Sequence, residues 1–277
     1  MLEETDYPES GRVARRGAGP GESARAGRIW WDAAADAYQA ENGAFLGDAG
    51  FVWGPEGLTE DEVHLLGAPD TLRGARVLEI GCGAGQCGRW LRSQGVDRVV
   101  GFDISHRQLQ HSRRIDTDTG HDLATVQADA QYLPFADAAF DVVFSSFGAL
   151  PFVPSAEIAL AEAARVLRPG GRLAFSVTHP VRWAFPDDPT EHGFTLTQSY
   201  FDRIPYLEED RSGRAVYVEH HHTVGDWVRA VAGSGLVLAD MVEPEWPEHN
   251  TQVWGGWGPI RGRMLPGTAV FVADKPA

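Results

Sequence analysis

Residues 77–85 read Val-Leu-Glu-Ile-Gly-Cys-Gly-Ala-Gly, an apolar run that breaks into three glycines at alternate positions. A helix-period segment follows from Gln86. Few local geometries satisfy that order of residues. The apolar run is a strand, the glycines let the backbone turn sharply, and the helix opens with free N–H groups facing whatever lies above the strand end. The same grammar then repeats. A helix over 86–95, a strand over 97–102 ending at Asp103, a helix over 105–115 and a strand over 124–127 ending near Asp129 follow in turn. A strongly apolar strand over 139–145, a helix over 156–166 closed by Leu-Arg-Pro-Gly-Gly, and a strand over 172–178 complete the run. Strand and helix alternating over short connections predict an α/β fold: a doubly wound, Rossmann-like, mostly parallel sheet with residues 72–179 as its core.

The flanks read differently. Residues 1–27 have no apolar period and are expected to be a disordered leader. Residues 28–71 form an N-terminal helical cap, with a helix over 29–40 whose aromatic face carries Trp30, Trp31 and Tyr38, and a shorter one over 58–66. Residues 180–222 interrupt the alternation with two strand-like runs, 193–201 and 215–221, and predict an inserted β-hairpin lid. Residues 223–277 return to the sheet with a helix over 224–231 and strands over 236–242 and 268–273. A loop rich in Trp, Pro and Gly lies between those strands.

Composition narrows the function. At 277 residues and 43% hydrophobic content, the chain has ample core for one domain with elaborations. A net charge of −15 disfavours a sequence-independent grip on nucleic acid, which needs clustered cations. No apolar run reaches the eighteen residues of a membrane span, and no secretion signal is visible. Cys82 and Cys87 are spaced wrongly for a metal site and read as reduced thiols of a cytoplasmic protein. Basic residues are arginine except for Lys275, a usage typical of high-GC bacterial genomes.

The chemistry begins at Asp103, twenty-two residues past Gly81 at the tip of the second strand. A carboxylate there can accept hydrogen bonds from both hydroxyls of a ribose, so a nucleoside-containing cofactor is expected. A dinucleotide fingerprint would need glycine where Gln86 stands, which disfavours a nicotinamide oxidoreductase. The segments 77–85, Ala128-Asp129-Ala130-Gln131-Tyr132-Leu133-Pro134-Phe135 and Arg165-Val166-Leu167-Arg168-Pro169-Gly170-Gly171 together resemble motifs of the class I S-adenosylmethionine-dependent methyltransferases. The resemblance spans residues 72–178 and extends to a reversed last strand at the chain end, making seven strands. It implies that Gly81, Gly83 and Gly85 wrap the methionine part of the cofactor, Asp103 holds the ribose and Ile104 packs on the adenine. Asp129 and Ala130 would read the adenine edge, while Ser145 and Ser146 offer backbone oxygens to the amino group. Tyr38, Glu79 and Cys82 complete the candidate cofactor set. The product would be S-adenosylhomocysteine. Gln108 stands where many relatives carry an apolar residue.

Transfer from a sulfonium is an in-line displacement, so the protein mainly aligns the acceptor, excludes water and removes a proton where needed. His179, just past the fifth strand, is the first candidate base, with His221 and Glu245 behind it. Trp31, Trp53, Phe147, Phe152, Arg182, Tyr200 and Trp246 are the candidate acceptor-binding residues, forming an aromatic pocket for a flat small molecule. The lid sequence resembles a bacterial small-molecule subgroup, some of whose members methylate aromatic natural products, including the indole carbon of tryptophan-containing cyclic dipeptides. A monomer or homodimer, without nucleic-acid or membrane partners, is expected. The competing readings are a non-catalytic or repurposed S-adenosylmethionine-binding protein on the same fold and an NAD-type oxidoreductase.

Overall fold

Parallel strands bury both faces, so they need helices on each side, and the order of elements supplies them. The computed structural model describes residues 11–277. The first ten residues of the expected leader lie outside the described residues. The rest of that leader is structured: Arg12–Arg15 form strand β1, and helix α1 runs from Pro20 to Leu46 with Pro20 at its first turn. Sequence periodicity misses β1 because ion pairs, not an apolar stripe, hold it. Arg12 and Arg16 both reach the buried Glu209, at 2.7 and 2.9 Å. Two short helices follow, α2 (Glu60–Val63) and α3 (Pro69–Leu72).

The core then alternates as β2 (Arg76–Ile80), α4 (Gln86–Ser93), β3 (Arg98–Asp103), α5 (His106–Thr119), β4 (Ala124–Gln127), β5 (Phe140–Ser145), α6 (Ala156–Val166) and β6 (Leu167–Thr178). The hairpin β7 (Tyr206–Glu209) and β8 (Ala215–Glu219) precedes α7 (Val224–Gly233), β9 (Val237–Val242), the single turn α8 (Pro259–Gly262) and β10 (Thr268–Asp274). The main sheet has seven strands in the order β4-β3-β2-β5-β6-β10-β9, and only β10 runs against the others. Leu78, Val143, Phe175 and Phe271 fill the core on one face, and Val77, Leu91, Phe144 and Val270 on the other. The only lysine has a defined place: Lys275 Nζ donates to Ala164 O and Leu167 O, satisfying carbonyls at the end of α6.

The second sheet, β1-β7-β8, is antiparallel and packs against α1. Residues 193–201 are not its first strand as the sequence suggests. Glu191–Phe194 is a 3-10 turn, and Asp188 Oδ1 accepts hydrogen bonds from the Thr190 N–H and hydroxyl just before it. That local capping outcompetes the weak strand propensity of Thr195, Thr197 and Phe201. β8 also ends at Glu219, so the three histidines after it lie outside the strand.

Candidate functional site

Strands β2, β3 and β5 end side by side in one crevice, the place where an open α/β sheet binds its ligand. The glycine loop leaves β2 there. Gly81, Gly83 and Gly85 all have positive φ. A Cβ on Gly81 would lie 2.6 Å from Ala149 N, and one on Gly85 2.7 Å from Leu123 and Ser112, so glycine is required at both. A Cβ on Gly83 would come no closer to another residue than Gln108 Oε1 at 3.9 Å. Gly83 therefore leaves its backbone open to the cleft, a cradle fitted to a ligand.

Asp103 ties the loop to the neighbouring strand. Its Oδ2 accepts the Gly83 N–H at 2.8 Å and its Oδ1 the Ser105 N–H at 2.8 Å. Burial pushes its pKa up, and those backbone bonds oppose the shift. Glu79 lies deeper, 2% exposed, accepting the Gly88 N–H at 2.9 Å, and burial pushes its carboxyl up to about 8. Asp129 Oδ1 accepts the Gln131 N–H at 2.9 Å. Tyr38, Glu79, Gly81, Cys82, Gly83, Asp103, Ile104, Asp129, Ala130 and Ser146 all line this cleft. Gly85 stands behind it at the head of α4, as the turn that aims the loop. Ser145 is brought to the strand tip but not to the cleft; it is fully buried and its hydroxyl donates to Ile80 O at 2.9 Å. Cys82 serves mainly to pack, because its side chain fills the space a Cβ on Gly101 would need. Gln108 lines the cleft and accepts from Gln39 Nε2 at 3.1 Å.

Helix α1 roofs the cleft. Asp32 Oδ1 accepts from the Ser105 hydroxyl at 2.7 Å and the Arg107 N–H at 3.0 Å. Asp36 takes a two-pronged contact from Arg107 and lies 2.6 Å from His111 Nε2, which together hold its carboxyl down at about 2. Both clamps reach α5, just past Asp103.

A second cavity of about 720 Å³ lies on the other side of Trp31, Tyr38, Phe147 and Phe152, and these four aromatic side chains line both spaces. Phe147 is held in the left-handed region, φ 50°, with its N–H donating to Ser176 Oγ at 2.7 Å. A bulky residue there is strained, and it stands at the boundary between the two spaces. One wall of the larger chamber is apolar, with Trp30, Trp254, Phe185 and Pro186. The β7–β8 hairpin forms an adjoining wall, where Tyr206 pairs with Glu219 and Glu208 with Tyr217 across the two strands. Tyr206 donates to Glu208 at 3.0 Å and Tyr217 to Glu219 at 3.2 Å. Arg182 lies between Glu219 and Asp187, 3.5 Å from each.

The proposed bases lie elsewhere. His179 lines neither cavity. Its Nδ1 accepts the Val181 N–H at 3.1 Å, while Nε2 lies 2.9 Å from Glu243 Oε1 without hydrogen-bond alignment. The ring thus caps the turn after β6, and burial lowers its pKa. His221 is buried beside Trp183, its Nε2 2.7 Å from Tyr200 O. Glu245 is exposed on the surface. Three aromatic candidates likewise line neither cavity. Trp53 is fully buried against Phe51 and donates to Glu60 at 3.0 Å. Trp246 packs on Gly262 and donates to Asn250 O at 2.8 Å. The Tyr200 hydroxyl accepts the Val224 N–H at 2.9 Å. Trp31, Phe147, Phe152 and Arg182 do line the chamber. Sequence reasoning misses Tyr206, Glu208 and Glu219 as residues that line the chamber. The signal for them was a Tyr-x-Glu repeat at 206–208 and 217–219, whose alternate residues share a strand face.

Residues 78–175 match the model of a methyltransferase domain family. Over 217 residues the chain is 37% identical to Methyltransferase GfsG of Streptomyces halstedii, covering 75% of this chain and 76% of that protein. It is 35% identical over 130 residues to the 27-O-demethylrifamycin SV methyltransferase of Amycolatopsis mediterranei, covering 44% of this chain and 47% of that protein. Among solved structures, an S-adenosylmethionine-dependent methyltransferase from Listeria monocytogenes superposes with a TM-score of 0.63 at 21% identity, covering 80% of this chain and 99% of that one.

Proposed function

The chain belongs to the S-adenosylmethionine-dependent methyltransferases, and from that premise we propose that it methylates a ring-bearing natural-product acceptor held in the larger chamber. One observation carries this reading: the donor cleft and the chamber meet at Trp31, Tyr38, Phe147 and Phe152. When bound, S-adenosylmethionine supplies an activated methyl group on a sulfonium. The chain's own residues do the rest. Asp103 holds the ribose hydroxyls, Asp129 and Ala130 meet the adenine edge, and the glycine loop cradles the amino-acid end. The four junction rings exclude water and present electron-rich faces suited to a cationic sulfur. Glu219 replaces His179 as the group placed to take a proton from the acceptor.

The named acceptor of the Amycolatopsis relative, a demethylrifamycin, supports a natural-product class, and a chamber of about 720 Å³ has room for a ring-bearing molecule. The finer reading, an indole carbon of a tryptophan-containing cyclic dipeptide, is one candidate within that class, though a neutral dipeptide gives Glu208 no counter-charge. The net charge of −15 supports the absence of a nucleic-acid partner. The same reading assigns a monomer or homodimer working in the cytoplasm, and sedimentation of the purified chain tests the oligomeric part. Among the described residues, no helix is long and apolar enough to cross a membrane. The experiment is incubation with methyl-labelled donor and separated small-molecule, RNA and protein fractions of a bacterial extract. Label in one small-molecule peak is expected. Label confined to RNA or protein would overturn the acceptor class.

A further inference from the structure

We propose that the acceptor carries a protonated amine, bound against Glu208 and the aromatic rings of the chamber; this rests on the methyltransferase reading above. The hairpin wall brings Glu208 and Glu219 into a space that Asp187 also lines. Arg182 faces them, and its guanidinium is shared between Asp187 and Glu219 at 3.5 Å each. Arg15, the other guanidinium of this wall, is turned onto Asp202 and Ile204 O, at 2.8 and 2.9 Å. Glu208 is left with the Tyr206 hydroxyl, a neutral donor at 3.0 Å. Burial, with Glu208 adding to it, pushes the Tyr206 pKa up to about 12, so the phenol keeps its proton.

Among the described residues Glu208 is thus a half-buried carboxylate on the chamber wall whose side-chain partner is a neutral hydroxyl, so a ligand of opposite charge can supply the ionic partner it lacks. Here the surroundings suit such a ligand independently. Tyr217 lies edge-on to Trp30 with ring centroids 4.8 Å apart and to Tyr206 at 6.0 Å, giving the chamber several π faces beside the carboxylates. Carboxylate plus aromatic faces is the recognition chemistry of an ammonium group, and it repels a carboxylate or phosphate.

The test uses three probes sharing one ring system: 2-(1-naphthyl)ethylamine, its N-acetyl derivative and 1-naphthylacetate. Each is titrated by ligand-observed NMR into protein saturated with S-adenosylhomocysteine, whose own affinity is measured first by calorimetry. The amine is expected to bind at least about tenfold tighter than the amide and the acid, the size of one charge-assisted contact. Glu208→Gln is expected to shrink that preference below about threefold while leaving S-adenosylhomocysteine affinity unchanged. A preference that survives Glu208→Gln, an amide or acid that binds as well as the amine, or no binding of the amine below 10 mM (about the weakest affinity such titrations read) each overturns the proposal. Failure of S-adenosylhomocysteine to bind would instead sink the methyltransferase reading, so the two are separable.

Discussion

Asp103 is the residue on which donor binding turns, because both its oxygens already organise the loop and still carry lone pairs toward the cleft. Asp103→Ala is expected to weaken S-adenosylhomocysteine binding by about a hundredfold, two charge-assisted hydrogen bonds' worth; calorimetry checks it, and unchanged affinity would refute the assignment. Glu79 makes a different prediction. With its ordinary value at 4.5 and its folded value at about 8, the unfolded chain ionises before the folded one does. Its contribution is therefore fully present below about pH 4.5 and is lost as the pH rises through about 8. Glu79→Gln should melt several degrees higher than the parent at pH 8.5 and together with it at pH 4, read by calorimetric scans. Phe147 gives a third. Its φ of 50° favours glycine, so Phe147→Gly should be more stable than Phe147→Ala by about 1 kcal/mol, the reverse of the usual order. Denaturant unfolding of the two variants decides it.

Among the elements, the roof helix and the hairpin are where sequence and structure part. The glycine loop, Asp103, Asp129 and the alternating strands were legible because backbone geometry and short-range periodicity dictate them. The acceptor wall was not. Parity on β7 and β8 depends on where each strand begins, and the chain around 193–201 carries strand-forming residues that the Asp188–Thr190 turn overrides. Histidines drew attention as titratable groups, but burial and backbone partners occupy both His179 and His221. His179→Gln is thus expected to leave transfer within about twofold, whereas Glu219→Gln should lower it at least about tenfold with donor affinity unchanged. Labelled-methyl assays with any accepted substrate check both. The clamp of α1 on α5 predicts that Asp32→Asn combined with Asp36→Asn weakens S-adenosylhomocysteine about tenfold. Stability should fall only slightly, since Asp36 and Arg107 are half exposed and their ion pair is screened by water.

Across the whole molecule, the seven-stranded sheet and the smaller β1-β7-β8 sheet are joined by one helix, α1, which packs on α5 and on β8. The second sheet hangs on ion pairs to Glu209 and on the packing of Ala26, Leu207, Ala215 and Val218. Helix α1 belongs to both halves. Ser23 and Gln39 face the donor cleft, Trp30 and Asn42 the acceptor chamber, and Trp31 and Tyr38 both. One twenty-seven-residue rod is therefore a wall common to two rooms. Any shift of it that admits one ligand also reshapes the space for the other, so the two ligands are expected to bind and leave in a fixed order, with the spent cofactor last. The first turnover would then outrun all later ones.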